Sequence, residues 1–227
     1  MTRNVVVAIT GASGAVYAVR LLEVLIAAGY KVFLTISPSA KTVLKQELDL
    51  SVDLDDFSLS SLLLTPEKVS DAKLDMLRAL AGISSHESNV LAFDIGAPGE
   101  VRYCHYEDMT APIASGSFPT VGMVICPCSS STLGGVVHGS GTNLIHRAAG
   151  VHLKERRKLI LVPRETPLST IQLDNMKRAS EVGAVVLPAM PGFYHGVKSI
   201  RDLVDFIVAR ICDQLGIANS LIQRWGT

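Results

Sequence analysis

Short apolar runs alternate with longer amphipathic stretches along most of this chain. Val5 to Ile9 is continuous, apolar and β-branched, as a strand buried on both faces should be. The same reading gives strands over 5–9, 31–36, 122–126, 158–162 and 184–187, with a further one expected within 89–105. The strand at Met123 to Cys126 is expected to stop abruptly at Pro127. Between the strands, Leu21, Leu22, Leu25 and Ile26 form the stripe of a helix from about Ala15 to Ala28, ended by Gly29. Ser37-Pro38-Ser39 opens a helix that closes near Glu47-Leu48-Asp49, with proline in its first turn. A small-residue helix is expected over 132–141, followed by one ending in Lys154-Glu155-Arg156-Arg157. Ser199 to Leu215 is amphipathic, and Pro66 to Leu80 also reads as helical. This alternation predicts an α/β fold: a doubly wound, mostly parallel sheet with helices on both faces, in one domain over residues 1–227.

Composition narrows the class. With 227 residues, 48% hydrophobic, the chain can bury a sizeable core. Its 21 basic and 21 acidic residues cancel, so no overall basic charge points to nucleic acid. Cys104, Cys126, Cys128 and Cys212 lack zinc-type paired spacing. Met1-Thr2-Arg3-Asn4 leads straight into a strand, and no apolar run reaches the roughly 18–20 residues of a membrane span. A cytoplasmic protein with reduced thiols is the expectation.

Candidate chemistry gathers where strands end. Thr10-Gly11-Ala12-Ser13-Gly14 follows the first strand and opens a helix, so its N–H groups suit a phosphate. It is not GxGxxG, and a ligand-free tight turn fits as well. Ser37 suits a helix cap better than a phosphate ligand, and Glu47 a solvated helix end better than a site carboxylate. Ser129, Ser130, Ser131 and Thr132 follow the strand at Cys126, and Arg164-Glu165 follow the strand at Val162. In an open parallel sheet this is the ligand edge, and a mononucleotide phosphate would suit it. Lys154, Arg164, Tyr194 and Arg210 could make a second anion site if the fold converges them. Arg210 lies in an apolar stretch and calls for an anionic partner, a salt bridge serving as well as a ligand. Residues 109–117 form a loop of small residues, and two prolines with Gly192 hold Phe193 and Tyr194. There is no P-loop and no GxSxG elbow. Cys126 reads as a core residue, and Cys128 as a minor candidate for thiol chemistry. His138, His146, His152 and His195 show no metal-ligand pattern. Residues 50–100, acidic at Asp53 to Asp56, carry no strong site and fit an insertion, lid or oligomer contact.

Five stretches together are similar to one family: TGASGAVYAVRLL (10–22), APIASGS (111–117), VICPCSSSTL (124–133), NLIHRAAGVHLKERRKLILVPRETPLS (143–169) and GAVVLPAMPGFYHGVKSIRDLVDFIVARICDQLG (183–216). Arg224-Trp225 also matches. The chain resembles the flavin prenyltransferases of the UbiX type, Rossmann-like flavoproteins within the flavin-containing cysteine decarboxylase-like fold. The resemblance implies reduced FMN and dimethylallyl monophosphate as reactants. It also implies prenyl attachment at flavin N5 and C6, without a metal, and delivery of prenylated FMN to a UbiD-type decarboxylase. By motif, Gly11, Ala12, Ser13, Ser37, Ser129, Ser130, Ser131, Thr132 and Arg164 would hold FMN. Lys154, Tyr194 and Arg210 would hold the substrate phosphate, with Arg147 from another subunit. Ser13, Glu47 and Glu165 would assist ring closure and proton movement.

Departures from the family stand at Met109, where some members carry an aromatic ring, at Ser131, and in the longer segment 50–100. A cysteinyl-peptide decarboxylase of the same fold would need a catalytic histidine, for which only His86 and His105 offer themselves, without the expected context. A non-catalytic FMN carrier would explain the glycine turn and the serines but not Lys154, Tyr194 and Arg210. The low charge of 132–141 and Leu144–Leu153 fits burial between subunits, and the resemblance implies a homo-oligomer, a dodecamer.

Overall fold

The computed structural model describes residues 2–63, 98–194 and 196–226. The expected helix at 66–80, the first half of the turn at 96–99, His86 and His195 lie outside the described residues. Strands β1 (Asn4–Ile9), β2 (Lys31–Ile36), β3 (Glu100–Tyr103), β4 (Gly122–Cys128), β5 (Lys158–Pro163) and β6 (Val185–Val186) form one sheet. Its order is β3-β2-β1-β4-β5-β6, and every pairing is parallel. The expected strand within 89–105 is β3.

Among the described residues six α-helices cover the sheet: α1 (Ala15–Ala27), α2 (Pro38–Leu48), α3 (Ser130–Val137), α4 (Leu144–Lys154), α5 (Thr170–Glu181) and α6 (Ile200–Leu215). Strand alternation divides the core in two. Val5, Val7 and Ile9 face α1, α2 and α6 through Leu21, Leu25, Leu44, Ile207 and Ile211. Val6 and Ala8 face α3, α4 and α5 through Leu133, Ile145, Ala148 and Ala179. Both faces of β1 are therefore dry, which is why its sequence is an unbroken apolar run.

Several boundaries differ from expectation for local reasons. β4 continues through Pro127 to Cys128, but its register against β5 shifts between Ile125 and Cys128. Proline lacks the N–H that the ladder needs, so the strand steps past it instead of ending. α3 starts at Ser130 and stops at Val137, earlier at both ends than the expected 132–141. α4 ends at Lys154, and Arg156 takes a positive φ of 56°. Helix α5 was not anticipated; its signal was Ser169 and Gln172, which form a reciprocal capping box. Residues 50–63 are not a loose insertion. Leu50, Val52, Leu54 and Leu62 join the core, and Phe57 stacks on Tyr103 with centroids 4.4 Å apart. The acidic run is a turn in which Asp53 accepts the N–H groups of Asp55 and Asp56.

Candidate functional site

The sheet order reverses direction between β1 and β4, and a parallel sheet opens a crevice at that point. The turn 10–14 leaves β1 on one side of it, and residues 129–132 leave β4 on the other. One buried side chain joins them: the Thr10 hydroxyl donates to the Pro127 carbonyl at 2.7 Å and accepts from the Ser129 N–H at 2.8 Å. Ser129 caps α3, taking the N–H of Thr132, and its hydroxyl also meets the Thr132 and Ser131 hydroxyls at 2.9 and 3.2 Å. Ser130 accepts from Gln172 Nε2 at 2.6 Å, which ties α5 to the same edge.

The turn after β1 is held by two further side chains. Arg164, leaving β5, donates from Nε to the Ser13 carbonyl at 3.1 Å. Glu47, at the end of α2, accepts the N–H of Gly14 at 2.9 Å and of Ala15 at 2.8 Å. Gly14 has a φ of 115°, a conformation open to glycine. The start of α1 therefore already carries an anion of the protein's own, which its dipole favours. Glu47 is part of this cradle rather than a solvated helix end. At Gly11 an added Cβ would lie 2.4 Å from Ser39 Oγ, so the backbone there runs hard against the start of α2. Ser37 caps α2 and meets Ser39 across 3.1 Å. Tyr17, which sequence reasoning missed, lies under the turn; burial pushes its phenol up, with Cys126, Arg164 and Glu47 close enough to act on it. Glu165 is exposed and accepts the Thr166 N–H. Gly11, Ala12, Ser13, Ser37, Glu47, Ser129 to Thr132, Arg164 and Glu165 thus share one edge of the sheet.

The cations expected to bind a second phosphate do not join them within one chain. Arg147 and Lys154 ride on α4, which packs on one face of the sheet, whereas Arg210 rides on α6 on the other. Arg147 donates to the Ala114 carbonyl at 2.9 Å, and Arg157 to the Phe118 and Gly116 carbonyls at 2.6 and 2.5 Å. These two arginines hold the small-residue loop 111–118. Lys154 pairs with Glu155, and a Cβ on Gly116 would lie 2.6 Å from Lys154 Nζ. Tyr194 is 61% exposed and packs edge-on against both Phe206 and Trp225, centroids 5.9 Å apart in each case.

Arg210 is exposed and pairs with Asp213 at 2.8 Å, the salt bridge its sequence context allowed. Among the described residues, the arginine that lies in the core is Arg20, fully buried between α1 and α6. It donates to Asp205 at 2.7 Å and to Glu23 at 3.1 Å, contacts that leave its charge compensated. Burial raises Glu23 despite that pairing.

The thiols read as core groups. Cys126 and Cys128 are buried, and burial pushes the Cys128 thiol up to about 12, so it is protonated at neutral pH. His152 is buried with Nε2 2.8 Å from the Thr120 hydroxyl and Nδ1 2.8 Å from the Ala148 carbonyl. A carbonyl only accepts, so Nδ1 carries the proton and Thr120 donates to Nε2. His138 meets the Gly134 carbonyl, and His146 meets Ser140, Thr142 and Asn143. His105 lies 3.4 Å from Asp55. Among the described residues no three His, Cys, Asp or Glu side chains group as metal ligands, and no helix is long and apolar enough to cross a membrane.

Comparison with known proteins places this geometry. The Flavoprotein family model matches residues 1–212. A flavin prenyltransferase UbiX of Halalkalibacterium halodurans is 42% identical over 220 residues, which cover 97% of this chain and 92% of the relative. The chain belongs to the flavin prenyltransferase family. Among solved structures, AnUbiX in complex with FMN and dimethylallyl pyrophosphate is 33% identical with a TM-score of 0.73, covering 100% of this chain and 99% of that one. A dodecameric FMN-dependent UbiX-like decarboxylase from Escherichia coli O157:H7 is 35% identical with a TM-score of 0.72, covering 99% of each chain. These two structures match the fold of this flavin prenyltransferase along almost its whole length.

Proposed function

We propose that this flavin prenyltransferase joins the dimethylallyl group of dimethylallyl monophosphate to N5 and C6 of reduced FMN. The observation that carries the reading is the cradle at the β1/β4 switch point, within a chain of this family. Its donor set fits a flavin mononucleotide: capping hydroxyls at the starts of α2 and α3, the Arg164 guanidinium, and a turn where Gly11 leaves no room for a side chain. Gly11, Ala12, Ser13, Ser37, Ser129, Ser130, Ser131, Thr132 and Arg164 would hold it. When bound and reduced, FMN supplies the nucleophilic nitrogen and ring carbon.

The chain's own work is to orient the reactants and to take the leaving charge. Lys154, Tyr194, Arg210 and Arg147 receive the departing phosphate, offering permanent cations and a phenol to the leaving charge. Because α4 and α6 lie on opposite faces of one chain, we propose that neighbouring copies complete the site in a homo-oligomer, a dodecamer as in the E. coli relative. Lys154 and Arg210, with the Tyr194 phenol, replace a divalent metal here. Ser13 and Glu165 assist proton movement at the flavin, and Glu47 acts through the turn that it holds. The product serves a UbiD-type decarboxylase, in a cytoplasmic setting.

The test is mass spectrometry of the flavin after anaerobic incubation with reduced FMN, the monophosphate and EDTA. A prenylated flavin is expected, formed faster from the monophosphate than from the diphosphate. Recovery of unmodified FMN would leave a carrier role instead. Activity lost to EDTA and restored by magnesium would overturn the metal-free mechanism.

A further inference from the structure

We propose that Arg224 keeps Arg210 available to the substrate phosphate by occupying Asp213, the carboxylate that otherwise holds Arg210. The inference rests on the reading of Arg210 as a phosphate ligand and adds a positioning residue that does not itself touch substrate.

The geometry is asymmetric. Asp213 follows Arg210 by three residues on α6 and accepts its Nη1 on Oδ2 at 2.8 Å. Arg224 grips the same carboxylate with two nitrogens, Nη2 on Oδ1 at 2.8 Å and Nη1 on Oδ2 at 3.1 Å. Asn219 Nδ2 adds a donor to Oδ1 at 3.2 Å. One carboxylate thus carries a two-pronged arginine, an amide and a one-pronged arginine. Of the two arginines, Arg210 has one bond to this carboxylate to give up and Arg224 has two.

The charge count leads the same way. Two guanidinium groups share the one carboxylate of Asp213. Burial would raise Asp213, but the bonds from Arg224 and Asn219, with the charges of Arg224 and Arg210, outweigh it and hold the carboxyl below its usual range. Asp213 therefore stays ionised and pulls on Arg210 at every working pH. A phosphate that recruits Arg210 must take it from that carboxylate. With Arg224 in place, Asp213 keeps a paired guanidinium and an amide after Arg210 turns away. Without it, the departure strands a half-buried carboxylate on one neutral donor.

The segment around Arg224 is tied to the other phosphate candidate. Trp225 packs edge-on against Tyr194, and Tyr194 against Phe206, one helical turn before Arg210. Arg224 Nη2 also reaches the Asn219 carbonyl at 3.4 Å. Residues 219–225 therefore link both ends of the Tyr194 and Arg210 pair.

The experiment measures kcat and KM for dimethylallyl monophosphate, anaerobically and at saturating reduced FMN. Arg224→Gln is expected to raise KM about three- to fivefold, the scale of one partly exposed ion pair, with kcat within about twofold. Removing the competing carboxylate should cancel the defect, so Arg224→Gln with Asp213→Asn is expected to return KM to within about twofold of the unsubstituted enzyme. A merely structural role for Arg224 gives the opposite result, because losing Asp213 as well would add to the damage. An unchanged KM in Arg224→Gln, or a double variant as impaired as the single one, would overturn the inference. Arg210→Ala is the separating control: if it leaves KM unchanged, the phosphate reading of Arg210 fails, and this inference with it.

Discussion

Replacing Thr10 by valine removes one oxygen and keeps the shape of the side chain. That oxygen makes two bonds at the switch point, to the Pro127 carbonyl at 2.7 Å and from the Ser129 N–H at 2.8 Å. Pro127 is buried, so its carbonyl would lose its donor with no water to replace it; Ser129 is half-buried and would recover in part. An unpaired buried polar group costs about 1–3 kcal/mol, so the pair should cost about 2–4 kcal/mol. In a chain of this size each kcal/mol moves the melting temperature by about 2–4 °C, which gives a fall of roughly 4–16 °C. FMN affinity should drop about tenfold or more, because the lost oxygen sets the spacing between the β1 turn and the Ser129 cap. Thr10→Ser keeps both bonds and loses one buried methyl, about 1 kcal/mol, so it should bind FMN nearly as the parent does. Circular-dichroism melts and flavin-fluorescence titrations read both quantities. A valine variant melting within about 2 °C of the parent, with unchanged FMN affinity, would refute the reasoning.

Other consequences follow from single contacts. Gly11→Ala places a Cβ against Ser39 and should lower FMN content in the purified protein, and Gly11→Ala with Ser39→Gly should recover part of it; equal flavin loading in all forms would count against a tight approach here. Arg157→Ala frees the Gly116 and Phe118 carbonyls and should speed hydrogen exchange over 111–118, while exchange in β1 stays unchanged. Burial, aided by the Arg157 charge and opposed by the Ala148 carbonyl, holds His152 below its usual 6.5. As pH falls, the unfolded chain binds that proton first, so stability is full above about pH 6.5 and declines as pH drops towards the folded value. Urea midpoints of His152→Gln should therefore depend less on pH between about 7 and 5.5 than those of the parent; parallel curves would exclude His152 as the source.

The sequence by itself determined the layers of this protein. A strand buried on both faces must be apolar at successive positions, so Val5–Ile9 and Leu159–Val162 announce their burial without reference to any partner. Helix starts were equally local: Ser37 and Pro38 mark α2 within three residues, and Ser199 opens α6. Strand ends followed from these to within two residues, β4 running past Pro127 to Cys128, and with them the edge that bears Gly11, Ser129 and Arg164. Tertiary structure alone decided which side chains complete that edge. Thr10 meets Ser129 across 119 residues, Glu47 meets Gly14 across 33, and Arg20 meets Asp205 across 185. Spacing along the chain carries no trace of such pairs: the apolar stretch around Arg210 called for the anionic partner it has in Asp213, but nothing near Arg20 in sequence points to Asp205. The same cause divides Lys154 from Arg210. Both stand in motifs legible from sequence, but α4 and α6 pack on opposite faces because successive residues of each strand point to alternate faces of the sheet, and both faces need a helix layer.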